Sequence, residues 1–174
     1  GIKIDGYTFN PSLFKKNGAT DYLEYSKKIL SKSNNKPVSL EVFADEEDEM
    51  IKQAKILSGL SENVYVKIPI TFTNKQFTTK VLQELVRQKI KLNITAIFTI
   101  EQINKILPVI KETDSILSVF AGRIFDCGVN ATETMKDINT KVHSNSNCRT
   151  LWASPRMSYD YITAIETKTD IITM

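Results

Sequence analysis

The sequence predicts an α/β fold with a mostly parallel sheet, because short strand-like segments alternate with amphipathic helical patterns along the chain. The strand-like segments are apolar and rich in β-branched and aromatic residues. They comprise residues 38–44, 64–70, 92–98, 116–121, 150–153 and 170–174. Parallel neighbours need long crossover connections, and helices placed between the strands supply them.

The helical patterns place apolar residues on one side of each predicted helix. The clearest predicted helix runs from about residue 75 to 88, with Phe77, Val81, Leu82, Leu85 and Val86 on its apolar face. A second apolar face consists of Ile103, Ile106, Leu107 and Ile110. The acidic run 45–49 predicts the start of another helix, because negative charge in a first turn complements the helix dipole.

The distribution of glycine and of polar residues favours a barrel over an open nucleotide-binding sheet. The chain has six glycines, and no predicted strand is followed by a GxGxxG or GxxxxGK phosphate loop. Polar residues lie within or directly after nearly every predicted strand. Active sites of parallel barrels are assembled from such residues at the carboxyl ends of several strands. We therefore predict a (β/α)8 arrangement.

Composition indicates one ordinary globular domain over residues 1–174, with 41% hydrophobic and 25% charged residues. The net charge of +3 is too small to predict nucleic-acid binding, and Lys27, Lys28 and Lys32 are expected on the solvent face of a helix. No apolar run has the roughly 20 residues of a membrane span, and the first residues do not resemble a signal peptide. A cytoplasmic location is expected.

The cysteines and the single histidine predict neither a metal site nor a cofactor site. Cys127 and Cys148 are expected to be reduced thiols. His143 begins a polar stretch, 143–147, that predicts a loop, and no cluster of Cys and His accompanies it.

Lys67 is the most unusual residue of the predicted strands, because it interrupts the apolar segment 64–70. Burying an ammonium group is costly. Desolvation lowers the pKa of a lysine, and the neutral amine is a nucleophile for carbonyl carbons. The alternative is that Lys67 lies at a strand edge and extends its ammonium group to solvent.

Six short segments, in order and spacing, resemble the successive strand motifs of the transaldolase family. They are 8–13 (TFNPSL), 38–42 (VSLEV), 66–71 (VKIPIT), 93–98 (NITAIF), 118–124 (SVFAGRI) and 152–156 (WASPR). The resemblance covers essentially the full chain. It implies a TIM barrel, of which the given chain would contain strands 2 to 8 without the first strand and the last helix.

The resemblance implies a catalytic role for three residues. Lys67 matches the lysine that forms a Schiff base with the C2 ketone of a phosphorylated ketose. Glu41 and Thr95 match residues that position a water molecule for proton transfer. An ordinary strand-end ion pair is the alternative role for Glu41.

The resemblance also implies a set of substrate-binding residues. Asn10 and Asn93 match amides that bind substrate hydroxyl groups, with capping of turns or strand ends as the alternative. Guanidinium groups suit phosphate, and surface ion pairs are their alternative role. The implied phosphate group consists of Arg123, Ser154 and Arg156. Ser118 and Phe120 match pocket positions, with Phe120 forming a wall.

The chain departs from the family pattern in several places. The first barrel strand, which carries an acid–base aspartate in the family, does not precede the 8–13 segment, so we expect the chain to be an excerpt of a longer protein. Phe9 and Val119 stand where a threonine and a proline are common, and Phe9 is expected to alter the pocket near Asn10.

Three functions remain open at this point. The first is transaldolase transfer of a dihydroxyacetone unit from a ketose phosphate such as fructose 6-phosphate to an aldose phosphate. The second is a fructose-6-phosphate aldolase-like lyase, which typically has glutamine at the Glu41 position and tyrosine at the Phe120 position. The third is a non-catalytic sugar-phosphate-binding barrel. The resemblance implies no cofactor, sugar phosphates as partners, and a homo-oligomer in cytoplasmic carbohydrate metabolism (the pentose phosphate pathway).

Overall fold

The structure, a computed structural model, describes residues 3–16, 18 and 20–174. Within these residues seven strands form one sheet, ordered β1 to β7 as they occur in the chain, with every neighbouring pair parallel. The strands are β1 Tyr7–Thr8, β2 Val38–Glu41, β3 Val64–Pro69, β4 Leu92–Ile97, β5 Ile116–Val119, β6 Arg149–Trp152 and β7 Ile171–Ile172.

Helices connect the successive strands. They are α1 Pro11–Lys16, α2 Tyr22–Lys32, α3 Glu47–Ser58, α4 Thr79–Arg87, α5 Ile100–Ile110, α6 Ala121–Asp126, α7 Ala131–Asn145 and α8 Asp160–Glu166. Side-chain caps start four of the helices in the described residues, because Asn10, Asp21, Thr99 and Asn130 accept hydrogen bonds from first-turn N–H groups of α1, α2, α5 and α7. The acidic residues Glu47, Asp48 and Glu49 occupy the first turn of α3, as expected.

The side chains of the strands alternate between two hydrophobic cores. Residues such as Leu40, Val66 and Ile94 are fully buried between the sheet and the helices. The alternate residues of the central strands form a smaller inner core on the opposite face of the sheet. Its buried members are Tyr65, Ile116, Leu151 and Ala153. Such alternation, with both faces covered, is expected for the strands of a parallel barrel.

The sheet is curled, because residues from both of its edges line the same cavity. Thr8 in β1 and Thr173 after β7 both contribute to this cavity. Neighbouring strands lie about 4.8 Å apart, so seven strands laid flat would separate the two edges by roughly 29 Å. The prediction of a partial TIM barrel is therefore confirmed, with β1 and β7 as the two edges of the described sheet.

A polar cluster closes the barrel interior at the amino ends of the strands. The Tyr65 hydroxyl donates to Asp114 at 2.9 Å and accepts from the Arg149 guanidinium at 3.0 Å. Arg149 Nε also donates to Asp114 at 2.9 Å. Burial, and then the Asp114 carboxylate, raise the pKa of Tyr65, so this hydroxyl keeps its proton and its donor role. This end of the barrel is filled by side chains, and the open cavity lies at the other end.

The structure corrects several sequence predictions about local structure. His143 does not lie in a loop, because α7 continues to Asn145 and Asp170 holds the His143 ring at 2.9 Å. The helix predicted from about residue 75 begins only at Thr79. The segment before it turns back on itself through a bridge between Thr71 and Phe77, with Lys75 in the left-handed conformation.

The strand predicted over residues 38–44 is also too long, since β2 ends at Glu41. The N–H groups of Phe43 and Ala44 bind the Gln53 side chain at 3.0 Å and leave the sheet. The three lysines predicted on the solvent face of a helix, Lys27, Lys28 and Lys32, are exposed on α2.

Both cysteines are free thiols in the structure. Cys127 is an exposed free thiol, and Cys148 is a buried free thiol whose pKa is raised by burial. None of the helices in the described parts of the chain is long and apolar enough to span a bilayer.

Candidate active site

A cavity of about 680 Å³ opens at the carboxyl ends of the strands. Each of β2 to β6 contributes side chains to it from its last residues or from the residues that follow. Eight of the ten sequence-predicted site residues line this cavity: Asn10, Glu41, Lys67, Thr95, Ser118, Phe120, Arg123 and Ser154. Asn93 and Arg156 do not line it, and their positions are described below.

Lys67 and Glu41 form a buried ion pair at the cavity floor. Lys67 Nζ lies 2.9 Å from Glu41 Oε2, and the two side chains are 10% and 19% exposed. The residues are register partners on adjacent strands, so both point into the barrel. Lys67 is on a central strand and buried, and the strand-edge alternative is therefore wrong. Glu41 does make the ion pair considered from the sequence, but inside the cavity and with Lys67 itself.

Asn93, the register partner of Lys67 on β4, has no exposed surface. Its side-chain amide donates to Ser39 Oγ at 3.0 Å, and its carbonyl oxygen accepts from Ser118 Oγ at 2.6 Å. The two serines fix the orientation of the amide. Sequence reasoning missed Ser39, although its position two residues before Glu41 on the same face of β2 was a usable signal.

Thr95 presents a buried hydroxyl without a partner. The residue is 2% exposed, lines the cavity, and its Oγ1 makes no hydrogen bond within the described residues. Directly after it, Ala96 adopts the left-handed conformation at φ 60°, where the register with β5 shifts. The bulge changes the direction of β4 beyond Thr95 and leaves the hydroxyl free to bind a water molecule or a ligand.

The β5 and β6 side of the cavity is cationic. Arg123 on α6 stacks on the Phe120 ring, with 4.6 Å from Cζ to the ring centre. Ser154 has φ 59°, so the chain turns sharply after β6. Gly122 permits this arrangement, because a Cβ there would lie 1.6 Å from the Ser154 carbonyl oxygen. The start of α6 is thus packed directly on the backbone of Ser154.

Arg156 stands beside this region with its guanidinium already engaged. Its Nε donates to Asp126 at 3.0 Å, and its Nη1 donates to the Ser154 carbonyl oxygen at 3.1 Å. Arg156 lowers the pKa of Asp126 by hydrogen bonding. The surface ion pair considered from the sequence is therefore present, with Asp126 as the partner of Arg156. The separate hydrogen bond to the Ser154 carbonyl oxygen connects Arg156 to the Ser154 turn.

The β1 to β3 side of the cavity is more apolar and acidic. Asn10 lines it, and its Oδ1 caps α1 by accepting from the Leu13 N–H at 2.8 Å. Phe9 also lines it and packs on Phe14 at 5.6 Å between ring centres. Hydrogen bonds from Thr73 lower the pKa of Asp45 at this rim.

The charged side chains of the cavity are two acids and two bases, with the Arg123 guanidinium apart from the Lys67–Glu41 ion pair. These side chains are Glu41, Asp45, Lys67 and Arg123. No group of three or more His, Cys, Asp or Glu residues with metal-binding geometry occurs in the described ranges. The amine at the floor and the guanidinium at one side are the groups available for covalent attack and for anion binding.

Comparison with known proteins agrees with this architecture. The family model described as Transaldolase/Fructose-6-phosphate aldolase matches residues 2–174. A probable transaldolase of Bartonella henselae is 33% identical over 147 residues, covering 84% of this chain and 63% of the relative. Those of Bartonella tribocorum and Brucella ovis are 35% and 33% identical over the same length, with the same coverage.

The chain thus spans less than two thirds of the length of these relatives. The family match, however, extends over nearly all of the chain and includes every residue of the cavity described above. The chain belongs to the transaldolase/fructose-6-phosphate aldolase family.

Proposed function

We propose that this chain catalyses transaldolase-type transfer of a dihydroxyacetone unit from a ketose phosphate to an aldose phosphate. The observation that carries the proposal is the buried Lys67 amine, 2.9 Å from the Glu41 carboxylate in a cavity that also holds Arg123. An amine that must become neutral before it attacks a carbonyl is best served by a nearby base. Glu41 is placed to receive that proton.

The proposed reaction begins with addition of the Lys67 amine to the C2 ketone, and loss of water gives an imine. The protonated imine accepts the electron pair of the C3–C4 bond as this bond breaks, while the C4 hydroxyl gives its proton to a base. The products are an aldehyde and a three-carbon enamine on Lys67. The enamine adds to the acceptor aldehyde, and hydrolysis of the new imine frees Lys67.

The other cavity residues are assigned roles that their contacts support. Thr95 offers its unpartnered hydroxyl to the water that Glu41 activates. Asn10 binds hydroxyl groups of the three-carbon unit. Asn93, which does not line the cavity and has no exposed surface, supports the lining residue Ser118 through its side-chain carbonyl oxygen. Phe120 forms the wall on which Arg123 stacks.

The phosphate is assigned to Arg123 and the Ser154 turn. Arg156 supports this turn from the outside through its hydrogen bond to the Ser154 carbonyl oxygen. A guanidinium group provides paired donors and a permanent charge, as phosphate recognition requires. This side of the cavity contains Arg123, and the opposite rim contains Asp45, so the phosphate is directed to one end of the substrate.

Two sequence features favour transfer over release of free dihydroxyacetone. Glu41 and Phe120 stand where the lyase-type members typically have glutamine and tyrosine. We further propose that the protein acts as a homo-oligomer on sugar phosphates of cytoplasmic carbohydrate metabolism, without a cofactor. Light scattering of the purified protein measures the oligomer directly.

Borohydride trapping with fructose 6-phosphate, followed by peptide mass spectrometry, tests the mechanism. A reduced three-carbon adduct on Lys67 is expected, and addition of erythrose 4-phosphate before the reductant is expected to deplete it. Free dihydroxyacetone released without an acceptor would support the lyase, and the absence of any adduct would support the non-catalytic barrel.

Lys67→Arg is the matched variant for this experiment, because arginine keeps the positive charge and cannot form the imine. Lys91→Arg is the control, since Lys91 is an exposed lysine that donates to the Glu62 carbonyl oxygen away from the cavity. Adduct formation that survives Lys67→Arg and is lost in Lys91→Arg would refute the assignment of the nucleophile.

A further inference from the structure

Tyr22 connects helix α2 to the catalytic end of β2. It is the first residue of α2, and the capping side chain of Asp21 fixes that turn by accepting from the Glu24 N–H at 3.0 Å. From this position the Tyr22 hydroxyl donates to the Glu41 carbonyl oxygen at 2.7 Å. The bond joins the helix to the residue whose carboxylate meets Lys67 Nζ.

The peptide group that follows Glu41 is thereby held on both of its sides. Its carbonyl oxygen accepts from Tyr22, and its N–H, that of Val42, donates to the Lys67 carbonyl oxygen at 3.1 Å. β2 ends at Glu41, and these two hydrogen bonds fix the peptide group at the end of the strand.

The Tyr22 ring is itself held by other aromatic rings. Its centre lies 4.4 Å from that of Phe14, which is buried, and 5.5 Å from that of Phe43 at the cavity rim. Burial, and then the Glu41 charge, raise the pKa of Tyr22 far above its usual range. The phenol thus keeps its proton at neutral pH and can act as a hydrogen-bond donor.

We propose that Tyr22 is a positioning residue, which aims the Glu41 carboxylate at Lys67 by anchoring the strand-end peptide. The inference rests on the role proposed above for the Glu41–Lys67 pair. Tyr22 does not touch the substrate in this scheme. Without its hydroxyl the Glu41 carbonyl oxygen loses its donor, the peptide rotates towards solvent, and the carboxylate moves away from the amine.

Competitive labelling of lysine amines in the full chain tests the proposal without any sugar substrate. Formaldehyde with cyanoborohydride methylates neutral amines, and mass spectrometry compares Lys67 with the exposed Lys91 in the same sample at one neutral pH. Glu41→Gln removes the ion pair that engages Lys67 Nζ, so it is expected to raise Lys67 labelling by roughly tenfold. Tyr22→Phe is expected to raise it by roughly threefold, because it displaces the carboxylate without removing it.

The charged side chains that line the cavity around Lys67 are Glu41, Asp45 and Arg123, and none of the variants alters the last two. Tyr25→Phe is the matched control. Tyr25 lies on the same helix and packs on the same Phe14 ring, at 5.1 Å between centres, but its hydroxyl makes no hydrogen bond within the described part of the chain. It is expected to leave the labelling of Lys67 unchanged.

The double variant Tyr22→Phe/Glu41→Gln separates positioning from a general loosening of the structure. If Tyr22 acts through the carboxylate, the double variant labels at the level of Glu41→Gln alone. A further rise of about threefold in the double variant, or no change in Tyr22→Phe, would overturn the proposal. Trapping with fructose 6-phosphate is carried out in parallel. If the wild-type chain gives no adduct, the proposed reaction is rejected. The labelling experiment still decides the role of Tyr22, because it uses no sugar substrate.

Discussion

Gly122→Ala is expected to disrupt the junction between α6 and the turn after β6. A Cβ built at Gly122 lies 1.6 Å from the Ser154 carbonyl oxygen and 2.8 Å from its carbonyl carbon. Ordinary contact requires about 3.4 Å, so the two backbone segments must separate by roughly 1.8 Å. Because both partners are backbone, no side-chain rotation relieves the clash.

The expected loss is about 3 kcal/mol in the free energy of unfolding, at the upper end of the cost of overpacking a close contact. Urea denaturation measures this loss. Isothermal titration with inorganic phosphate measures the second consequence, a weaker anion site, because Ser154 and Arg123 are displaced relative to each other.

Gly59→Ala is the control for this variant. Gly59 follows α3 with φ −72°, and a Cβ there meets the Lys55 carbonyl oxygen at 3.4 Å, which is ordinary contact. Its free energy of unfolding is expected to change by less than about 1 kcal/mol. Equal stability of Gly122→Ala and Gly59→Ala would show that the α6 junction is not closely packed, and would refute the reasoning.

Three other predictions concern separate parts of the barrel. Thr95→Val removes a buried hydroxyl that has no partner among the described residues, so it is expected to leave the free energy of unfolding unchanged or raise it by about 1 kcal/mol, while the proposed transfer activity falls; a destabilised variant would mean that the hydroxyl has a partner. Tyr65→Phe removes the hydroxyl bonded to Asp114 and Arg149, so urea denaturation is expected to show a loss of about 1–2 kcal/mol, with Lys67 trapping unchanged because the cluster lies at the opposite end. Asp126→Asn tests the Arg156 contact. The pKa of Asp126 is lowered in the folded state, so the ionised carboxylate stabilises the folded protein. This contribution to the free energy of unfolding is present above the unfolded pKa of about 4 and is lost as pH falls through the folded pKa. The difference in unfolding free energy between wild type and Asp126→Asn should therefore be constant above about pH 5 and shrink below about pH 4; a difference that persists at about pH 2 would contradict it.

The sequence predicted the parts of the molecule that depend on local pattern. Apolar segments rich in β-branched and aromatic residues located the central strands. The resemblance to the family pointed to Glu41, Lys67 and Thr95, and the structure brings these residues to one face of the sheet. The parts that were missed depend on partners distant in the chain. Gln53 ends β2 early through the N–H groups of residues 43 and 44, and Asp170 holds His143 across 27 residues.

The same limit applies to the site. The resemblance pointed to Arg156 as a phosphate ligand, but only the fold shows that Asp126, 30 residues earlier, already engages its guanidinium. The contact of Ser39 with Asn93 spans 54 residues, and that of Tyr22 with Glu41 spans 19. No periodicity in the sequence encodes such pairs, since they form only when the strands curl and the helices pack on them.

The Glu41–Lys67 pair is difficult to explain as a device for stability. Desolvating two charges costs several kcal/mol for each ion, and the attraction between them in a buried site often does no more than offset that cost. Apolar residues fill other positions on this face of the sheet, Tyr65, Ile116 and Leu151 among them. The reaction proposed above gives the pair a physical reason, because in it the amine exchanges its proton with a carboxylate 2.9 Å away and then attacks a carbon atom in the cavity. In that proposed reaction, burial limits the bulk water that would otherwise hydrolyse the imine before the acceptor arrives.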